Sequence, residues 1–140
     1  MAVKQSGKCL AERVGALLAG KGWTLATAES CTGGLIGHLI TNIPGSSAYF
    51  LGGVVAYANG TKEQILGVHR ELLVAHGAVS LEVALAMAQG VRRLLGADVG
   101  LAATGIAGPS GGTPQKPVGT VFIAVSSPLG DEVRQMLATF

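Results

Sequence analysis

A chain of 140 residues is long enough to bury a proper core and short enough for one domain. Hydrophobic residues make up 49 % and charged residues 13 %, which excludes a disordered chain. The net charge of +2 is small and scattered, and the one adjacent basic pair, Arg92-Arg93, falls near a helix end where it favours the dipole, so no nucleic-acid partner is implied.

Residues 3–18 place Leu10, Val14, Leu17 and Leu18 on one helical face, with Gly20 to end the helix. Residues 23–28 read as a short buried strand. Residues 32–40 read as a helix with Leu35, Ile36, Leu39 and Ile40 inward, and 42–47 as the turn that ends it. Residues 49–57 are apolar and β-rich apart from Gly52-Gly53, and fit a buried strand. Asn59-Gly60 opens a short helix through Leu66, with Asn59 as its N-cap. Ser80 caps the clearest helix, whose stripe is Val83, Met87, Val91 and Leu94 and whose stop is Gly96. Residues 99–103 and 118–125 are strands, the second continuously apolar as an internal strand is. Between them, 105–116 is a loop of Gly, Pro, Ser and Thr, and 133–140 is a last strand. Strands alternating with helices predict a single α/β domain, a three-layer α/β/α sandwich on a mostly parallel mixed sheet.

Cys9 and Cys31 supply no disulfide framework, and Glu12 and Arg13 interrupt the early apolar stretch that a signal peptide needs. The uncharged segment between Glu29 and Lys62 is broken by Asn42, Pro44, Gly45, Ser46 and Ser47, so it reads as buried interior rather than a membrane span. A soluble cytoplasmic protein is expected.

Ser30-Cys31-Thr32 followed by Gly33-Gly34 sits at a strand-to-helix turn. A hydroxyl there lies beside the free N–H groups of a helix start, and the glycines admit close approach. Such turns hold serine nucleophiles or anions; they also hold plain helix caps. Lys62 falls in the first turn of a helix and reads either as a plain solvated surface lysine or as a general base, whose pKa the helix dipole and burial would both lower. Ser30 with Lys62 makes a nucleophile–base pair. Tyr57 reads either as a proton relay or as a half-buried tyrosine at a strand end. Glu29 reads as a group orienting the base or ligand, or as half of a salt bridge. The run Thr104-Gly105-Ile106-Ala107-Gly108-Pro109 follows a strand at the sheet end where α/β proteins bind ligands, and reads as a binding loop. It is no Walker loop, since no Gly-Lys-Ser/Thr closes it. His38, His69 and His76 have no partners at ligand spacing, so no metal is expected. Cys31, with no basic neighbour in sequence, reads as a small buried hydrophobe rather than a thiol nucleophile.

These residues resemble the C-terminal domain of the CinA competence/damage-inducible proteins. The resemblance runs through Ala28-Glu29-Ser30-Cys31-Thr32-Gly33-Gly34, Pro44-Gly45-Ser46-Ser47-Ala48-Tyr49-Phe50, Gly52-Gly53-Val54-Val55 with Tyr57, and His76-Gly77-Ala78-Val79-Ser80. It continues through Thr104-Gly105-Ile106-Ala107-Gly108-Pro109 to Lys116-Pro117-Val118-Gly119-Thr120-Val121. It implies a nicotinamide-nucleotide amidohydrolase, which converts nicotinamide mononucleotide to nicotinate mononucleotide and ammonia without metal or organic cofactor. Ser30 would be the nucleophile, with Lys62, Tyr57 and Thr104 in the same pocket. Glu29, Thr32, Gly33, Gly34, Thr104, Gly105 and Gly108 would bind the substrate. Relatives continue past the last strand into an arginine-bearing segment and a closing helix. With the chain ending at Phe140, an open strand edge and an apolar face lead us to expect a homodimer. The rival expectation is a non-catalytic nucleotide-sensing or protein-interaction module linked to competence or DNA damage.

Overall fold

The computed structural model describes residues 2–138. Its elements are α1 (Ala2–Lys21), β1 (Leu25–Glu29), α2 (Leu35–Thr41), a 3-10 turn (Ser46–Ala48), β2 (Phe50–Val55), α3 (Asn59–Gln64), α4 (Arg70–His76), α5 (Leu81–Leu95), β3 (Val99–Gly105), β4 (Thr120–Ser127) and β5 (Gly130–Leu137). The strands form one mixed sheet in the order β2-β1-β3-β4-β5. β1 pairs in parallel with β2 and β3, whereas β3–β4 and β4–β5 are antiparallel. The parallel strands therefore end together at Glu29, Val55 and Gly105, and the loops beyond them share one edge of the sheet.

Two apolar clusters make the outer layers of the sandwich. On one face Leu18 of α1 and Ile40 of α2 pack with Leu25 and Tyr49. On the other, Val83, Met87 and Val91 of α5 pack with Ala26, Ala102 and Phe122. Small residues let α5 lie close: the site of a Cβ on Gly100 is 3.1 Å from the main-chain carbon of Ala88. That approach turns Ala84 and Ala88 inward beside Met87 and leaves Leu94, expected in the stripe, 51 % exposed. Ser80 Oγ accepts the Val83 N–H at 3.3 Å, and Gly96 ends the helix in the left-handed region at φ +63°, both as expected.

Several elements depart from the sequence reading. α1 stops at Gly22, not Gly20: Gly22 has φ +67°, and the N–H groups of Gly22 and Trp23 return to Ala19 and Leu18. Only Leu18 of its predicted stripe is buried; Leu10, Val14 and Leu17 are exposed, because α1 meets the body of the protein along the line of Gly15 and Leu18. Leu35 is likewise outward on α2. β2 is an edge strand with one neighbour, so its residues alternate between half-buried and exposed instead of being buried throughout. The cap of α3 is Ala58, in extended backbone, and Asn59 is already helical. α4 has no counterpart in the sequence reading. β4 begins at Thr120, two residues late, after Gly119 at φ +96°; β5 begins at Gly130, and the expected strand end at Phe140 lies outside the described residues. No helix among the described residues is long and apolar enough to cross a membrane.

Candidate active site

Ser30 is the first residue past β1. Its N–H donates to the Ala103 carbonyl at 3.0 Å and its carbonyl accepts the Gly33 N–H at 3.1 Å. Gly33 (φ +61°) and Gly34 (φ +106°) carry the turn through left-handed backbone that other residues resist, so α2 starts only at Leu35. Ser30 is therefore neither a cap nor an exposed group: it is 7 % exposed, at the base of a cavity of about 370 Å³.

Lys62 reaches the same point from α3. Its side chain is 1 % exposed, and Nζ lies 3.1 Å from Ser30 Oγ, 2.8 Å from the Ala56 carbonyl and 3.0 Å from the Tyr57 carbonyl. Among the described residues no carboxylate pairs with it. Burial lowers its pKa below the ordinary 10.5, only partly opposed by the Cys31 sulfur. An ammonium spends three N–H donors on these three acceptors. A free amine keeps both carbonyls with its two N–H groups and turns its lone pair to the Ser30 hydroxyl, which is the arrangement of a base.

Tyr57 contributes to this cluster through its main chain; its ring is 75 % exposed at the cavity rim. Thr104 lines the cavity while its hydroxyl donates to the Ala78 carbonyl at 2.9 Å, tying the end of β3 to the segment before α5. Gly105 and Gly108 line the opposite wall with Ile106 and Ala107. The loop closes at its base, where Ile106 N–H donates to Thr120 and Gly119 N–H to Ile106. Lys116 Nζ donates to the His76 carbonyl at 2.9 Å, at the C-terminal end of α4. Cys31 also lines the cavity, but burial, reinforced by the Glu29 charge, pushes its thiol up, away from the reactive thiolate.

Four expected substrate contacts are not in the cavity wall: Glu29, Thr32, Gly33 and Gly34. The Glu29 carboxylate folds back on the start of α2, accepting from Thr32 Oγ1 and the N–H groups of Gly34, Ile36 and Gly37. The helix start expected to hold an anion is thus filled by the chain's own carboxylate. Asn59 and Ser110 line the cavity without a sequence signal for it; Asn59 reads locally as a cap, Ser110 as one more loop residue. A larger groove of about 460 Å³ at the far end of α5 is bordered by Arg92, Arg93, Ser126 and Asp131, with no lysine or histidine in its lining.

The profile of the CinA C-terminal domain matches residues 7–139. The chain belongs to this family. It is 58 % identical over 123 residues to a putative competence-damage inducible protein of Moorella thermoacetica, covering 88 % of this chain and 30 % of that one. To the corresponding protein of Symbiobacterium thermophilum it is 61 % identical over 117 residues, with 84 % and 28 % covered. The chain thus spans about 30 % of the length of such CinA relatives. The crystal structure of the competence/damage inducible protein CihA from Agrobacterium tumefaciens superposes with a TM-score of 0.90 at 43 % identity, over 94 % of this chain and 80 % of that one. The sandwich described above is therefore the CinA fold.

Proposed function

We propose that this CinA domain is a nicotinamide-nucleotide amidohydrolase acting through Ser30 and Lys62. The observation that carries the reading is the 3.1 Å approach of Lys62 Nζ to Ser30 Oγ, both buried at the base of an open cavity. In the reaction Ser30 Oγ attacks the carboxamide carbon as its proton passes to Lys62. The developing oxyanion is met by the backbone N–H of Cys31, the residue after Ser30 that also lines the cavity. The C–N bond breaks and the Lys62 proton leaves on ammonia. Water then attacks the acyl-serine, giving its proton to Lys62; the C–Oγ bond breaks, the acid is released and the serine recovers its proton. Lys62 acts directly, so no relay through Tyr57 is needed, and the Tyr57 ring is left to border the nucleotide. The glycine-rich wall 105–111, with its exposed backbone, is the part of the cavity suited to phosphate and ribose.

Ammonia release is the test, with nicotinamide mononucleotide compared against nicotinamide riboside, which lacks the phosphate. Turnover of the mononucleotide, and much weaker turnover of the riboside, is the expected outcome. Binding of the mononucleotide without ammonia release would favour the sensing module instead.

A further inference from the structure

Glu29 is the buried charged group that this mechanism leaves unused. Its side chain is among the most enclosed of the polar groups, the residue being 2 % exposed. Oε1 accepts from Thr32 Oγ1 at 2.6 Å, Ile36 N at 2.9 Å and Gly34 N at 3.2 Å, and Oε2 accepts from Gly37 N at 3.0 Å. Bonds to an ionised acceptor are about twice as strong as neutral ones. Among the described residues no basic side chain shares it.

The placement of these donors is what matters. All four lie after Ser30 in the chain, while the backbone of Glu29 is the last residue of β1. The side chain therefore bridges the two sides of the nucleophile, with Ser30 and Cys31 spanning the gap between them. Its main chain reaches the base as well: the Glu29 carbonyl accepts the Ala56 N–H at 2.8 Å, and the Ala56 carbonyl accepts Lys62 Nζ at 2.8 Å.

We propose that Glu29 is a positioning residue whose carboxylate pins the 30–34 turn, holding Ser30 Oγ against Lys62 and the Cys31 N–H at the cavity. This rests on the Ser30–Lys62 reading above. A carboxylate that merely stabilised α2 would affect unfolding and leave the reactivity of Ser30 alone.

The experiment follows phosphonylation of Ser30 by a fluorophosphonate, in which the Oγ–P bond forms, fluoride leaves and Lys62 takes the serine proton. It uses the full chain, is independent of the natural substrate, and is run well below the unfolding temperature of each variant. Glu29→Gln keeps the shape but loses the charge and sets an amide N–H₂ among N–H donors. Labelling is expected to slow by about 10²-fold, the scale of a 1 Å misplacement, with the pH midpoint of labelling unchanged because Lys62 still governs it. Thr32→Val removes only the 2.6 Å bond and should slow labelling less. A folded Glu29→Gln protein that labels at the wild-type rate overturns the proposal. If Glu29→Gln does not fold, Thr32→Val decides, and wild-type labelling there overturns it equally. Wild-type protein that never labels at Ser30 would instead overturn the nucleophile reading and this inference with it.

Discussion

Replacing Lys62 separates a base from a mere positive charge. In Lys62→Met the apolar side chain fills much of the same space but offers no donor. The Ala56 and Tyr57 carbonyls then lose the bonds of 2.8 and 3.0 Å that Nζ supplied, a cost of about 1–3 kcal/mol for each buried group left unsatisfied. Against this, the variant no longer has to bury an ammonium, whose desolvation costs several kcal/mol. The two effects are of similar size, so the fold should survive. The chemistry should not: loss of a general base lowers kcat/KM by about 10²–10⁴-fold, or roughly 2.7–5.4 kcal/mol of barrier at 1.36 kcal/mol per decade. Lys62→Arg should be nearly as inactive, because a guanidinium keeps its proton. Stability carries the same signature. The folded Lys62 pKa lies below 10.5, so between that lowered value and 10.5 the unfolded chain binds more protons than the native one. Wild-type stability should therefore rise with pH through this window, and in Lys62→Met that contribution should vanish. Ammonia-release kinetics against pH and denaturant melts at several pH values measure both effects. A Lys62→Arg protein with substantial activity would refute the base and leave Lys62 as a charge that holds substrate.

Ser30→Ala should abolish hydrolysis while nucleotide binding, followed by calorimetry, persists. Among the described residues Ser30 Oγ is bonded only to Lys62, so the expected stability loss is about 1 kcal/mol; near-normal turnover would exclude a covalent mechanism. Thr104→Val cuts the bond to Ala78 and frees one wall of the cavity, so KM should rise several-fold with little change in kcat; steady-state kinetics giving the reverse pattern would place Thr104 in the chemical step. The outer edge of β5 has no neighbour among the described residues, and Met136 and Leu137 are exposed beside it. Antiparallel pairing of two β5 strands about Val133 sets Glu132 of each copy opposite Arg134 of the other, which predicts a homodimer. Sedimentation should show Glu132→Arg weakening it and Glu132→Arg with Arg134→Glu restoring it; a monomer at all concentrations refutes the pairing.

Local signals were legible wherever a few neighbouring residues determine the outcome. Ser80 and Gly96 marked the ends of α5 because a cap and a left-handed stop act within one turn of helix. The Ser30 turn and the loop after Thr104 were marked by glycines that ordinary backbone does not need. Lys62 was singled out by its uncharged surroundings, and the tertiary structure brought it to Ser30 across 32 residues. Other features depended on the packing partner. Leu10, Val14 and Leu17 repeat with helical period, yet which face α1 buries was decided by where it lies over the sheet. The run from Tyr49 to Tyr57 is apolar enough for an inner strand, but its place at the edge follows from sheet order, which no local pattern encodes. The carbonyls of Ala56 and Tyr57 that receive Lys62 belong to the main chain and have no residue signature at all. The same holds for Glu29, read as a group orienting the base or ligand, whose carboxylate turns onto the start of α2. Its type and position beside Ser30 were plain in the sequence; the direction of its carboxylate was decided by the N–H groups that the folded turn brought beneath it.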